Sequence, residues 1–177
     1  MTRQNLIPSL NPQFRQLKDA LQKILSGQNC GFSFEELYGS VHTLSMEKSS
    51  GRLFKCLEDL LDKHLQTKVR AEILASRNNN FLQSLNAAWR GYRASILAIK
   101  DIFMFMECVS VNQMSIERLG WVMFHQKVVR DEAVSIYLRF TLLNMLDQDR
   151  KGREIDRLAV KNACQVWYCI DDSLYMF

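Results

Sequence analysis

The chain is poor in the residues that punctuate turns, with only 2 prolines and 7 glycines among 177 residues. Sandwiches and barrels built from short β-strands need many tight turns, and glycine and proline supply most of them. Hydrophobic residues nevertheless make up 47% of the chain, enough for a core. The composition therefore favours long helices, in one domain or in a domain-sized piece of a longer helical solenoid.

An excess of one charge is also missing. The 23 basic and 19 acidic residues leave a formal net charge of +4 and are mixed along the chain, which is too weak and scattered for a nucleic-acid footprint. Residues 1–12 lack the apolar run of a signal peptide, and no stretch approaches the roughly 20 apolar residues of a membrane-spanning helix. We expect neither nucleic acid nor membrane as a partner, and a cytoplasmic and/or nuclear location.

Metal-ligand and catalytic motifs are absent as well. The five cysteines form no CxxC pair, which favours a reducing compartment. His42, His64 and His125 have no second ligand one helical turn away, so we predict no metal site and interpret His64 as a packed helix residue. The chain contains no GxGxxG, phosphate-binding loop, HExxH or GxSxG motif. We predict a protein that is not an enzyme and needs no cofactor.

Helical periodicity runs through almost the whole chain and predicts an all-α fold of about six to seven helices. The stretches begin at Pro12, Phe34, Leu53, Phe81, Ile116, Glu132 and Arg153. The stretch from Phe81 to Met106 should be the longest helix, with its last turns covered on several sides because they are apolar all round. The second stretch should end near Lys48.

The start of the second helix has a strong local signal. Ser33 is a favourable N-cap, and Glu36 stands three residues later, where its side chain can reach back to complete a capping box. Phe32 and Leu37 stand at the two positions of a hydrophobic staple. We predict that this helix begins at Phe34.

Two apolar stripes run along the second helix, displaced by roughly a quarter turn. The first consists of Leu37, Val41 and Leu44, and the second of Phe34, Tyr38 and His42. Periodicity alone favours a single wide buried arc that includes both stripes. The alternative is that the second stripe is an exposed aromatic anchor for a partner, since aromatic residues dominate interface hot spots.

Two further surfaces lie near the end of the chain. The basic segment 150–161 supports an alternative function, in which a helical protein binds nucleic acid or a membrane surface, although a solvated turn explains it better. The final helix carries a broad apolar face over residues 155–170 that needs a partner. One expected partner is a second copy of the chain, which would give a dimer through this helix.

Several strings resemble, in the same order, the N-terminal region of the cullins, the scaffolds of a class of ubiquitin ligases. They are Ser33–Tyr38, Asn79–Leu82, Trp89–Tyr92, Ile99–Met106, Gln126–Arg130, Arg150–Arg157 and Lys161–Gln165. The resemblance covers roughly residues 14–170. Within the family it is greatest to the third paralogue, which serves BTB-domain adaptors.

The resemblance implies a bundle of helical cullin repeats. It places a short N-terminal tail at residues 1–12, the first repeat at 13–152 and the truncated start of the second at 153–177. It also implies capture of a BTB-domain adaptor in the ubiquitination pathway. The family's RING-recruiting region is distant, so no RING subunit is expected to bind this chain, which would then serve as an adaptor-binding arm or as a competitor.

The resemblance further implies a set of partner-binding residues. Ser33, Phe34, Glu35 and Tyr38 match the family's adaptor-contacting positions in residue type. His42 and Glu117 stand where the BTB-associated cullins carry tyrosines, and we expect them at the rim of the interface. Losing two aromatic anchors weakens binding by a few kcal/mol, which corresponds to orders of magnitude in affinity.

Overall fold

The computed structural model of the chain describes residues 12–46, 50–77, 80–109 and 114–168. Within these ranges the chain contains no β-strand and forms eight continuous helical stretches, which confirms the all-α prediction. The helices are α1 (Pro12–Leu25), α2 (Phe34–Leu44), α3 (Ser50–His64), α4 (Arg70–Ala75), α5 (Phe81–Ile102), α6 (Met104–Val109), α7 (Ile116–Phe124), α8 (Glu132–Arg150) and α9 (Arg157–Tyr168). A π-helical turn at Leu65–Val69 joins α3 to α4, and a second one at His125–Val129 extends α7.

The predicted fourth helix is interrupted once. Phe103 forms a turn between α5 and α6, although its N–H still donates to the Ile99 carbonyl at 3.0 Å. Phe103 itself is fully buried, but Met104 is 53% exposed. These last turns are predicted to be covered on several sides, and Met104 marks a side that is exposed, because an all-apolar pattern does not tell how many neighbours surround a helix.

Two predicted helix ends lie partly outside the described residues. The second helix is predicted to end near Lys48, and the N-cap of the first is predicted at Asn11. Both residues lie outside the described residues. The observed α2 ends at Leu44, and α1 begins at Pro12, where proline's fixed φ suits the first turn of a helix.

The helices pack into two compact units. The first unit runs up to Leu61 and includes Ala94–Leu119. In it α1 packs against α2, and α2 packs against α6. The Ser95 hydroxyl donates to the Ile24 carbonyl at 2.9 Å, which ties this part of α5 to the end of α1. The first unit therefore packs both α1 and α6 against α2.

The second unit combines Asp62–Arg93 with the chain from Gly120 onward. Its two π-helical turns lie against each other, and α4 packs on α8. Arg70 binds the carboxylate of Asp131 at 2.9 Å, and the same carboxylate accepts the N–H of Val134 to cap α8. One aspartate thus both starts a helix and fixes it to its neighbour.

The final helix is less open than its sequence pattern predicts. Its face is largely packed in the second unit, where Ala159, Ala163 and Val166 are buried. The Asn86 side chain donates to the Ala159 carbonyl at 3.0 Å and fastens the helix further. Leu158 is 67% exposed, so only part of the predicted face is available. A dimer through α9 stays a prediction, and so does the repeat boundary at residues 152 and 153.

No helix in the described part of the chain is both long enough and apolar enough to cross a membrane.

Candidate functional site: an exposed aromatic stripe on α2

The start of α2 confirms the prediction made from its sequence. Ser33 has an extended backbone, and its hydroxyl accepts the N–H of Glu36 at 3.2 Å. The Glu36 carboxylate in turn accepts the N–H of Ser33 at 2.7 Å, which completes the capping box. Two of the four unpaired N–H groups at a helix start are commonly satisfied in this way, so the first turn of α2 is firmly defined.

The two stripes of α2 have different environments. Leu37, Val41 and Leu44 are almost completely buried in the first unit. Phe34, in contrast, is 49% exposed, Tyr38 is partly exposed and His42 is exposed. The expectation of one wide buried arc is therefore wrong, because the neighbours of α2 cover only one side of it. Phe34, Tyr38 and His42 are called the aromatic stripe from here on.

Ring contacts order the aromatic stripe along the helix. Phe34 and Tyr38 stack with ring centroids 5.9 Å apart and an interplanar angle of 25°. His42 lies against Phe105 of α6, with centroids 4.2 Å apart at 50°. Each ring is therefore held by an aromatic neighbour while it still faces solvent, and such a surface loses little side-chain entropy when a partner binds.

Sequence reasoning missed Phe105 as a member of this surface. Its position within an apolar string indicated only a buried helix. No local signal connects it to His42, because the contact arises from the packing of α6 on α2. Covariation between these positions would be the signal to find it.

Ser33 and Glu35 flank the aromatic stripe at the start of the helix. Both are exposed. The Ser33 hydroxyl accepts a hydrogen bond in the capping box but keeps its own O–H to donate. Glu35 is one of the residues that line a groove of about 400 Å³ between α1 and α2. The polar residues that the resemblance implies are therefore next to the aromatic rings.

Glu117 is engaged elsewhere in the first unit. Its carboxylate binds the Lys100 ammonium of α5 at 2.6 Å, and both side chains are about one-third exposed. The hydrogen bond that Lys100 donates to Glu117, followed by the negative charge of Glu117, raises the pKa of Lys100. The structure thus makes Glu117 the partner of an α5 lysine, and its place at the rim of the interface stays a prediction.

The basic segment 150–161 is partly neutralised by neighbouring carboxylates. Lys151 pairs with Asp147 one turn earlier on α8, and Arg157 pairs with Asp149 at 2.9 Å. These contacts leave less free positive charge than the sequence alone indicates, and phosphate binding depends on that charge. The segment has the geometry of a helix end followed by a helix start.

A second exposed apolar surface lies on α8, beside the buried face of that helix. Val134 and Leu138 are buried. Four large side chains farther around the helix are 47–68% exposed, namely Ile136, Phe140, Leu143 and Leu146. Exposed apolar patches of this kind often mark contact surfaces.

Metal chemistry has no visible site in the part of the chain that the structure describes, since no three His, Cys, Asp or Glu side chains are grouped there. His64, one of the three histidines, is half-buried, and burial followed by the charge of Lys68 lowers its pKa. It is a packed helix residue, as predicted.

Comparison with known proteins places these features in a family. The cullin alpha solenoid domain matches residues 14–176. Cullin-3 of Caenorhabditis elegans is 32% identical over 155 residues, and Cullin-3 of Dictyostelium discoideum is 33% identical over 153 residues. Each of these alignments covers 85% of this chain and 20% of the relative.

A more distant relative shows the same coverage. Cullin-4A of Homo sapiens is 27% identical over 158 residues, which are 84% of this chain and 20% of that protein. The chain thus spans about one-fifth of the length of the curated relatives it matches. Because the domain match covers nearly the whole chain, the chain belongs to the cullin family.

Proposed function

We propose that this chain is the adaptor-binding arm of a cullin-type scaffold in a ubiquitin ligase, and that the aromatic stripe captures a BTB-domain adaptor without covalent chemistry. The observation that carries the proposal is the pair of exposed, stacked rings at Phe34 and Tyr38 on a firmly capped helix. The similarity to cullins named Cullin-3 supports the choice of adaptor class.

The aromatic stripe has the physical properties of an interface anchor. Phe34 exposes about half of its surface, and burying an aromatic ring of this kind stabilises a complex by roughly 2–4 kcal/mol when the site is fully desolvated. The stacking on Tyr38 orders both rings before binding, so less conformational entropy is lost. These two rings should therefore dominate the affinity.

The surrounding groups supply the polar rim of the proposed interface. Ser33 offers a hydroxyl donor, Glu35 a carboxylate acceptor and His42 a ring that leans on Phe105. Such groups fix the orientation of a partner more than they add affinity. We expect His42 to bind more weakly than a tyrosine at the same place, because it buries less apolar area.

The proposed role is non-catalytic. The chain would hold an adaptor, and through it a substrate, while the transfer of ubiquitin would need a RING subunit that we do not expect to bind here. As part of a longer scaffold the chain would be the receptor arm, and alone it would act as a regulator or competitor that occupies adaptors. Both roles need the same docking surface.

Titration calorimetry of the purified chain against a panel of BTB-domain proteins tests the proposal. We expect at least one adaptor to bind, and the Phe34→Ala, Tyr38→Ala double variant to weaken that binding by about a hundredfold or more. Phe140→Ala is the matched control, since Phe140 is an exposed phenylalanine on α8 in the second unit, 65% exposed against 49% for Phe34.

Circular dichroism must show that each variant is folded before the affinities are compared. Loss of binding in the double variant but not in the Phe140 variant supports the aromatic stripe as the docking surface. If Phe140→Ala abolishes binding and the double variant does not, the adaptor binds on α8 and the proposed site is wrong. Absence of binding by the folded chain across the whole panel contradicts the adaptor proposal.

A further inference from the structure

A pocket in the second unit is independent of the aromatic stripe. It measures about 200 Å³ and lies where α5, α7 and α9 meet, with Asn86, Trp89, Arg90 and Arg93 on α5, Trp121 on α7 and Gln165 on α9 among its lining residues. A dry cavity of about 150 Å³ can hold one benzene ring. The pocket therefore has room for one planar ring with a short substituent, and it is smaller than most drug-sized sites.

Aromatic side chains form one part of its wall. Trp89 and Trp121 meet edge to face with ring centroids 5.9 Å apart, and Trp89 also lies 4.8 Å from the ring of Phe124. Because aromatic pairs prefer offset and edge-to-face geometries, a third ring entering between these side chains finds favourable contacts. This wall selects a flat apolar group.

Positive charge forms the other part. Arg90 and Arg93 are exposed and stand one turn apart on the same face of α5. The Arg93 guanidinium lies 5.5 Å from the centre of the Trp121 ring, which orients it over the pocket wall. Two guanidinium groups at the mouth of an aromatic pocket favour a ligand with a carboxylate close to its ring.

Two polar atoms beneath the wall have no partner among the described residues. The Asn86 side chain is 94% buried, and while its amide donates to Ala159, its Oδ1 accepts no hydrogen bond. The Trp121 indole N–H is also buried and unpaired. Leaving such groups unsatisfied destabilises a protein, so a small rotation that pairs both with a ligand is favourable.

We propose that this pocket binds an aromatic carboxylate, meaning a planar ring that carries an N–H or O–H donor and has a carboxylate beside it. The ring enters against Trp89, the carboxylate accepts hydrogen bonds from the two arginines and the Trp121 indole, and the ring's donor reaches Asn86 Oδ1. A free aromatic acid has this chemistry, and so does a peptide in which tryptophan or tyrosine precedes an acidic residue.

The test uses nuclear magnetic resonance of the isotope-labelled chain. Its three tryptophans give three indole N–H signals, which substitution by phenylalanine assigns. The probes are indoleacetate as the free acid, acetyl-Trp-Glu-amide as the peptide and indole ethanol as the uncharged analogue of the free acid. We expect the Trp121 signal to move saturably with an anionic probe, at a dissociation constant of about 1 mM or lower. The signal of Trp167, which lies outside the pocket next to Arg139, should stay in place.

Charge variants make the test specific. The Arg90→Gln, Arg93→Gln double variant should bind the anionic probes at least about tenfold more weakly, as expected for the loss of charge-assisted hydrogen bonds. Arg52→Gln is the control, because Arg52 is an exposed arginine in the other unit. Both arginines of the pocket are exposed, so their replacement should leave the fold intact, which the unchanged spectrum verifies.

The outcomes separate clearly. Binding of only one anionic probe supports the pocket and identifies the source of its ligand as a small acid or a peptide. The proposal is overturned if neither probe moves the Trp121 signal at about ten times the expected dissociation constant. It is also overturned if indole ethanol binds as tightly as indoleacetate, or if the double arginine variant keeps its full affinity.

Discussion

Helices α2 and α9 both carry more apolar residues than one packed face needs. On α2 the additional apolar residues are exposed, whereas on α9 most of them are buried. On α2 the surplus is the aromatic stripe, which faces solvent beside a fully buried leucine and valine face. On α9 the pattern that predicted a free face is mostly packed, because its centre consists of the small residues Ala159 and Ala163.

The difference shows what residue size adds to periodicity. Small side chains such as Ala163 let a neighbouring helix approach closely, so the face they form is readily buried. Large aromatic side chains at the border of a buried face extend beyond the reach of the neighbour and remain available. A row of apolar residues on a helix is thus a better candidate for a docking surface when the residues are aromatic and lie beside the buried face of the helix rather than within it.

The largest expected effect comes from the buried face of α2. Leu37→Ala should lower the free energy of unfolding by about 2–5 kcal/mol, since it leaves a cavity under a side chain that is 4% exposed. Phe34→Ala, on the aromatic stripe, should change it by about 0.5 kcal/mol or less. Denaturant unfolding of both variants measures the contrast. A similar loss in both would mean that the aromatic stripe belongs to the core.

A smaller effect is expected from the packed face of α9. Ala163→Leu should destabilise the fold by about 1–3 kcal/mol, because Ala163 is fully buried and the larger side chain overfills its surroundings. Leu158→Ala, on the exposed part of the same helix, serves as the control in the same unfolding experiment. An unchanged stability of the Ala163 variant would mean that the face of α9 is free, and would support the predicted dimer.

The helix caps offer a matched pair of still smaller effects. Ser33 accepts the N–H of Glu36 at the start of α2, and Asp156 accepts the N–H of Ala159 at the start of α9. Replacing either residue by alanine should cost about 1 kcal/mol of stability. Only Ser33→Ala should also weaken adaptor binding in calorimetry, since only α2 bears the proposed docking surface. Equal binding by both variants would argue against a contact at Ser33.

The smallest effect is a dependence of stability on pH that arises outside both helices. Burial lowers the pKa of His64 below its ordinary value of 6.5. The unfolded chain therefore binds a proton at His64 more readily than the folded chain does. The contribution of neutral His64 to the free energy of unfolding is fully present above pH 6.5 and is lost as the pH falls from 6.5 toward the folded-state pKa. When thermal unfolding is measured at several pH values from 6.5 downward, the melting temperature should fall less steeply with decreasing pH for His64→Gln than for the natural chain. An identical slope would contradict this assignment.

Local signals in the sequence predicted most of the helix starts. The capping box of Ser33 and Glu36 placed the start of α2 correctly, and Pro12 did the same for α1. Both signals act within one turn, so they do not depend on what else packs nearby. The all-α class followed from the scarcity of turn residues and from the periodicity.

Features that depend on tertiary packing were not predictable in this way. The interruption at Phe103 and the exposure of Met104 reflect how many helices surround that point. The contact between His42 and Phe105 joins two distant parts of the sequence, so periodicity contains no trace of it. The residues of the aromatic stripe could be predicted from the sequence, whereas its exposure to solvent and its contact with Phe105 could be seen only in the structure.

The two π-helical turns of the second unit determine what a one-residue deletion does to the helix in which each turn lies. Each π turn accommodates one more residue than an α-helical turn of the same height. Deleting a single residue within Leu65–Val69 would therefore turn the π turn into an α turn and keep Ile73 of α4 on its buried face, whereas a one-residue deletion in the regular part of α3 would rotate α4 by about 100°. The same holds for the turn at His125–Val129, which lies against it. Each π turn is therefore a place where the chain can lose one residue without a change in which side chains the following helix buries.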